Sequence, residues 1–260
     1  MVLFCRKYNI SSRINEAGFT LVELMIALFI SALVMATVVT VYTTQSRRYS
    51  EHDDLANIQQ DLRGVLIKMP AEIRLAGCDP TESGVPRIVT ATSTLFRFTM
   101  DIEGSAVAAN PNTADGVVDA NENIAYGFAP GVAAANGVVV GGGTASLGRH
   151  TGIGALKLEP LADNIEALEF NYILDDGDVS IPDIILCNGK TTTSLAPAAT
   201  DLNKICGVQV SILARVPNPS QGFTNMSTYT TASGAVWTPP QDNFRRRLVV
   251  SNVQLRNTGL

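Results

Sequence analysis

The residues with the clearest chemical potential lie near the start of the chain, in "NEAGFTLVELMIALFI", residues 15–30. Glu23 stands at the threshold of an apolar stretch with no charged side chain from Leu24 to Ser46. A carboxylate carried into hydrocarbon costs about 2.5–3.5 kcal/mol on insertion scales, so such a residue needs a named partner. Cleavage after Gly18 would create one: the α-amino group of Phe19, a cation four residues before Glu23. In an assembly of parallel helices, Glu23 of one chain could neutralise the amine of its neighbour. Pairs of this kind serve register more reliably than stability. A local reading competes with this one. Thr20-Leu21-Val22-Glu23 is an S/T-x-x-E capping box flanked by a hydrophobic staple of Phe19 and Leu24. On that reading Glu23 satisfies a free N–H group at a helix start.

Other candidate sites are sparser. In "PNTADGVVDANE", residues 111–122, Asp115, Gly116, Asp119 and Glu122 fall at positions 5, 6, 9 and 12 of a calcium-loop template. Pro111 and Thr113 stand where that template wants its first carboxylates. A solvated acidic turn is therefore the competing reading, and calcium is the one cofactor left open. Of the four cysteines, Cys5 precedes the candidate cut, which leaves Cys78, Cys187 and Cys206 for an oxidising compartment. Cys187 and Cys206 flank an 18-residue loop between a strand end and a strand start. Closing it would contribute about 3 kcal/mol. Cys78 is then free, or pairs with one of the two. The only histidines, His52 and His150, lie far apart, and no spacing fits a zinc ligand set.

Catalytic constellations are missing from the sequence: there is no G-x-S-x-G, H-E-x-x-H or P-loop, and no G-x-G-x-x-G after a strand. "GGGTASLG" lacks the lysine of a phosphate loop and reads as a flexible linker. The net charge is -5, so Arg245-Arg246-Arg247 reads as a solvated or salt-bridged strand edge rather than a nucleic-acid contact. An enzyme is not expected.

These residues need elements to position them. A run of roughly 20 apolar residues suffices to cross a bilayer. Arg6, Lys7 and Arg13 precede it, against the single acid Glu16, which argues for a cytoplasmic N-terminus. A secretory signal has its small-residue cleavage site after the apolar core. Here Ala17-Gly18 comes before it, so a cut would keep the apolar segment as the new N-terminus. Leu55, Ile58, Leu62, Val65, Leu66, Met69 and Ile73 continue a helical stripe. Pro70 predicts a kink or break near Met69, and Gly77 the helix end. Beyond Gly77 the period becomes two. Strands are predicted around Phe96–Ile102, Ile124–Phe128, Leu156–Leu158, Leu168–Leu174, Val208–Val216 and Val249–Leu255. The long connections between them, rich in turn formers, are expected to dominate the exposed surface.

"GFTLVELMIAL" resembles the class III signal of type IV pilins and type II secretion pseudopilins, and the likeness covers residues 13 to 45. The resemblance implies cleavage between Gly18 and Phe19 by a membrane prepilin peptidase, N-methylation of Phe19, and an assembly role for the carboxylate of Glu23. It further implies a single-pass protein of the inner membrane, its head facing the periplasm, which joins other pilins and minor pilins through its helix in an extracellular pilus. "RLAGCDP", "NIEALEFNYILDDG" and "FRRRLVVSNVQLRN", in that order, are similar to PilW-type minor pilins. The implied fold is α+β and pilin-like: a long N-terminal helix, its first half transmembrane, packed on an antiparallel β-sheet head with long loops. The expected divisions are a leader at 1–18, a membrane or filament-core helix at 19–46, its amphipathic continuation at 47–77, and a head at 78–260. The implied function is that of a minor type IV pilin that primes or caps the filament. A minor pseudopilin of the GspJ-like kind is the alternative. A filament-displayed adhesion or ligand-binding module is an alternative of another class.

Overall fold

The apolar run and the stripe after it form one helix, α1, from Leu21 to Ile73. The computed structural model describes residues 18–85, 87–104, 113–129, 131–175 and 191–256. It divides into two compact units, Met1–Ser50 and Glu51–Leu260.

In the first unit every described side chain is exposed, and the helix is long and apolar enough to cross a membrane. Its hydroxyls do not undo that. Ser31 donates to the Ala27 carbonyl at 2.7 Å, Thr37 to Val34 at 2.7 Å, Thr40 to Ala36 at 2.8 Å and Thr44 to Thr40 at 2.8 Å. Each polar atom is satisfied within its own turn, which leaves the threonine methyl groups outward.

In the second unit the helix buries Ile58, Leu62, Val65, Met69 and Ile73, the stripe that the sequence predicts. Pro70 does not stop it. The helix runs on to Ile73 and then tightens, with Leu75 N–H bonded to Glu72 C=O at 3.0 Å and Ala76 N–H to Ile73 C=O at 3.1 Å. A proline one turn from the end removes a single helix bond. Met69 and Ile73, almost fully buried, hold that turn in place.

The head is an antiparallel sheet. Its strands are β1 (Ile88–Ala91), β2 (Leu95–Thr99), β3 (Asn123–Phe128), β4 (Ala134–Ala135), β5 (Val138–Val139), β6 (Ala145–Thr151), β7 (Glu159–Asp175), β8 (Thr191–Ser194), β9 (Ile205–Arg215) and β12 (Arg246–Gln254). A separate two-stranded ribbon joins β10 (Tyr229–Thr230) to β11 (Val236–Trp237). The central strand is β7. One of its edges pairs in turn with β6, β5 and β8, and the other pairs with β9, which carries β12. Strands β3, β2 and β1 extend the sheet beyond β6.

Alternation along these strands builds two apolar layers. Phe96, Phe98, Phe170 and Tyr172 face the helix stripe, with the Phe96 ring centroid 5.2 Å from Phe98 and 5.4 Å from Tyr172. On the reverse face Ala167 and Leu213 pack under Trp237. The indole N–H donates to the Asn136 carbonyl at 3.1 Å, and Ala232 N–H donates to the Ser211 hydroxyl at 2.9 Å. The stretch around "ASGAVWTPP" is thus a cover for the sheet rather than a display loop.

Three further expectations change. "GGGTASLG" is not a flexible linker, because its second half opens β6. A Cβ on Gly148 would stand 2.6 Å from that of Leu158, so glycine is there for close packing. Leu156 and Leu158 form no strand of their own. They end a turn that His150 holds, its Nδ1 accepting the Lys157 N–H at 3.1 Å and its Nε2 bonded to Gly152 C=O at 3.1 Å. The loop around "TTTS" supplies β8.

The last turn of α1 is clamped to the sheet by charge. Arg149 of β6 donates from both Nε and Nη2 to Glu72, each at 2.9 Å, and the buried Tyr126 hydroxyl donates to the same carboxylate at 2.5 Å. Burial, and then Glu72, push the Tyr126 phenol well above its ordinary pKa, so it remains a donor. Glu72→Ala would strand both donors and should lower the unfolding free energy by about 2–3 kcal/mol. Tyr126→Phe should cost about 1 kcal/mol. Chemical denaturation of the full chain in detergent reads both values.

Candidate functional site

Thr20 starts the helix. Its Oγ1 accepts the Glu23 N–H at 3.2 Å and its carbonyl accepts the Leu24 N–H at 3.1 Å. The helix start therefore uses the main chain of Glu23. Among the described residues, the Glu23 carboxylate is exposed and makes no hydrogen bond or ion pair. Phe19 is 83% exposed beside it. Gly18 is also open: a Cβ placed there meets nothing within 4 Å. Among the described residues, no packing contact calls for glycine at that position. The capping reading and the assembly reading are thus compatible, because they draw on different atoms of Glu23.

Two of the calcium-loop candidates, Asp115 and Glu122, use their carboxylates on main-chain N–H groups. The buried Glu122 spends its carboxylate on three main-chain donors: Ile102 N–H at 2.7 Å, Glu103 N–H at 2.8 Å and Asp119 N–H at 2.9 Å. Asp115 accepts the Val117 N–H at 3.0 Å through its own side chain. A different residue organises the turn. The buried Asp101 takes the N–H groups of Asp115 and Gly116 at 3.2 and 2.8 Å and the Thr81 hydroxyl at 3.3 Å. Among the described residues, no group of three acids, cysteines or histidines is placed to share a metal ion.

Cys78 is a half-buried free thiol at the edge of that turn. Burial raises its pKa, and the carboxylates of Asp101, Asp79 and Glu122 add to the effect, so the thiol stays protonated. Cys206 is buried at the start of β9 and is not among the free thiols. Cys187 and the leader lie outside the described residues.

Two of the three arginines at 245–247 are paired with acids, and Arg246 turns inward. Arg246, its side chain 0% exposed, forms a two-pronged ion pair with the buried Glu166 and reaches Asp242 at 2.6 and 2.7 Å. Arg215 donates to the Gly142 carbonyl at 2.8 Å and stacks 4.3 Å above the Phe244 ring. Its Nη1 lies 3.9 Å from Glu166, which closes a quartet of two cations and two anions. Arg245 lies 4.3 Å over Phe223 and 3.6 Å from Glu51. The salt-bridged reading holds for both. Glu166 and Arg246 are 80 residues apart, and only the apolar neighbours Ile165 and Ala167 hinted that Glu166 is buried.

Two family models match this chain. The Prokaryotic N-terminal methylation motif matches residues 13–39, and Type IV Pilus-assembly protein W matches residues 138–257, from β5 through β12. The chain resembles PilW-type pilins over residues 138–257 and carries a prepilin-type methylation motif at residues 13–39. The methylation motif takes in Gly18, Phe19 and Glu23 and the helix from Leu21 to Val39. The PilW match takes in the central strand, the reverse-face cover and the Arg246 quartet. Among solved structures, the type IV-like pilin TTHA1219 from Thermus thermophilus aligns at 18% identity and a TM-score of 0.46. That alignment covers 78% of this chain and 97% of the other. No curated protein matches.

Proposed function

We propose that this chain is a minor type IV pilin, cut between Gly18 and Phe19 by a prepilin peptidase and methylated on the new amine. It waits in the inner membrane and then enters the pilus, where it primes or caps the filament. The observation that carries the reading is the exposed, unpaired carboxylate of Glu23 at the head of an apolar helix, inside a methylation motif. A charge with no partner among the described residues, at the edge of a membrane span, calls for a partner supplied by processing or assembly. The open surroundings of Gly18 among the described residues support the same reading, since a glycine that no described contact requires is explained by an enzyme that reads it. The Cys187–Cys206 disulfide belongs to this proposal as the staple of the head on the oxidising side of the membrane.

Gly18→Ala should block processing. Immunoblots of membranes would then show a precursor heavier by the 18-residue leader, retained in the membrane, beside a fully shortened native chain. Normal shortening of the Gly18→Ala chain would refute the proposed cut.

A further inference from the structure

The segment between β9 and β12, residues 216–245, has a fastened base and a lightly held end. At the base, Ser220 N–H donates to Asn243 C=O at 2.8 Å and Asn225 N–H to Asp242 C=O at 2.7 Å. Arg246 holds Asp242, Arg245 stacks on Phe223, and Asn218 Nδ2 donates to Asp54 of α1 at 3.2 Å. Beyond this base lie residues 226–241. They fold on themselves through the β10–β11 ribbon and through Thr231 N–H, which donates to Ala235 C=O at 2.8 Å.

Little ties residues 226–241 to the sheet. Among the described residues, their hydrogen bonds to it are Ala232 N–H to the Ser211 hydroxyl and Trp237 Nε1–H to Asn136 C=O. Their apolar contact is the small cluster of Trp237, Ala167 and Leu213, separate from the core under the helix stripe. Satellite clusters of this size open at a lower free energy than the main core does. Beneath the same segment lies a side chain that opposes closure. Alternation along β7 puts Glu169 on the reverse face with Ala167, and across the ladder it pairs with Ser211. Glu169 thus sits beside both points of contact. It is 3% exposed, and its Oε1 has no hydrogen-bond partner among the described residues. A buried oxygen without a donor has lost its hydration and gained nothing, and it recovers that hydration once the covering segment lifts.

We propose that residues 226–241 form a flap that lifts off the reverse face while the rest of the head stays folded, and that Glu169 biases it towards opening. Lifting breaks the bonds to Ser211 and Asn136 and bares Trp237, but leaves the ribbon and the clamped base intact. The strip of Ala167, Leu213 and Glu169 is then open to water. An apolar side chain at position 169 would close the flap more tightly.

Hydrogen exchange of the full chain in detergent, read by mass spectrometry with fragment-level resolution, tests both parts. Ala232 N–H, corrected for its intrinsic rate, should exchange about a hundredfold faster than the ladder amides of β9. Glu169→Leu and Glu169→Met replace the unpartnered group with an apolar one of similar size and should slow Ala232 about tenfold. Protection of β9 at or above the native level shows that these variants are folded. Asn171→Leu is the control, since the Asn171 amide already donates to Gln209 at 2.8 Å. It should not slow Ala232. Exchange of Ala232 in step with β9 would mean that the segment opens only on global unfolding, and would overturn the flap. Unchanged exchange in both Glu169 variants, or equal slowing by Asn171→Leu, would overturn the role of Glu169. The readout involves neither the cut after Gly18 nor assembly, so its failure is separable from that of the pilin reading.

Discussion

Glu23→Val should be cut and reach the membrane normally, yet yield fewer than one filament for every hundred made with the native chain. On the proposed function the cut depends on Gly18, and valine is at home in the apolar run, so neither processing nor insertion should suffer. Indeed, valine removes an insertion cost of about 2.5–3.5 kcal/mol. What it takes away is the anion available to a neighbour's amine. The Thr20 cap uses only the Glu23 main chain, so the helix start survives and the effect falls on assembly alone. An unpaired buried charge costs about 3–5 kcal/mol, and each 1.4 kcal/mol is a factor of ten in an equilibrium. Glu23→Gln separates charge from polarity. It keeps the size and the hydrogen-bonding capacity but cannot neutralise an amine, so it should fail nearly as badly. Filaments sheared from cells carrying Glu23→Gln in place of the native chain provide the count. Native numbers there would remove the amine–carboxylate role.

Arg246→Met should be the most damaging single change in the head. Arg246 is fully buried and holds Glu166, itself 1% exposed, together with Asp242. Removing one member of a buried charge set leaves the other uncompensated, at about 3–5 kcal/mol, a large share of the 5–15 kcal/mol that holds an ordinary domain. The position also ties distant segments together, since Glu166 belongs to β7, Arg246 to β12 and Asp242 to the turn between β11 and β12. Arg246→Lys keeps the charge and loses the two-pronged geometry, so an intermediate loss of about 2 kcal/mol is expected. Hydrogen bonding from Arg246 holds the Asp242 carboxyl below its ordinary pKa. Its stabilising contribution is therefore present above the ordinary carboxylate value of about 4 and is lost as pH falls through the lower folded value. Native denaturation midpoints should accordingly drop on the acid side of about pH 4. In Arg246→Met the part of that drop due to Asp242 should vanish.

The parts of this molecule that follow a period were legible in the sequence. Ile58 to Ile73 repeat at helical spacing, Leu168 to Leu174 alternate, and both ended in the core as read. The signal around Gly18 and Glu23 was legible because order mattered: a small-residue site ahead of an apolar run has few other uses. What the sequence concealed was pairing across distance. Trp237 is one aromatic in a stretch of Gly, Ser, Thr and Pro, and nothing local says that it closes the reverse face over Ala167 and Leu213. Glu122 looked like a ligand because its neighbours were acidic. Its actual work is to gather three main-chain N–H groups that come from two segments. Arg246 looked like a surface charge because its two acids lie in other parts of the chain. Pro70 was overweighted, since the burial of Met69 and Ile73 decides where the last turn holds.

The hydroxyls along the first half of α1 carry a mechanical consequence. The Thr40 carbonyl accepts the hydroxyls of both Thr43 and Thr44, at 3.1 and 2.8 Å, on top of its place in the helix ladder. Carbonyls shared in this way loosen the ladder locally and let a helix curve. With Thr37 and Thr40 also bonded back to the preceding turn, the compliance gathers between Val34 and Thr44. That stretch can flex under load as a spring does, with no proline or glycine to break it, and it sits within the segment that, on the proposed function, exchanges a lipid environment for a protein one.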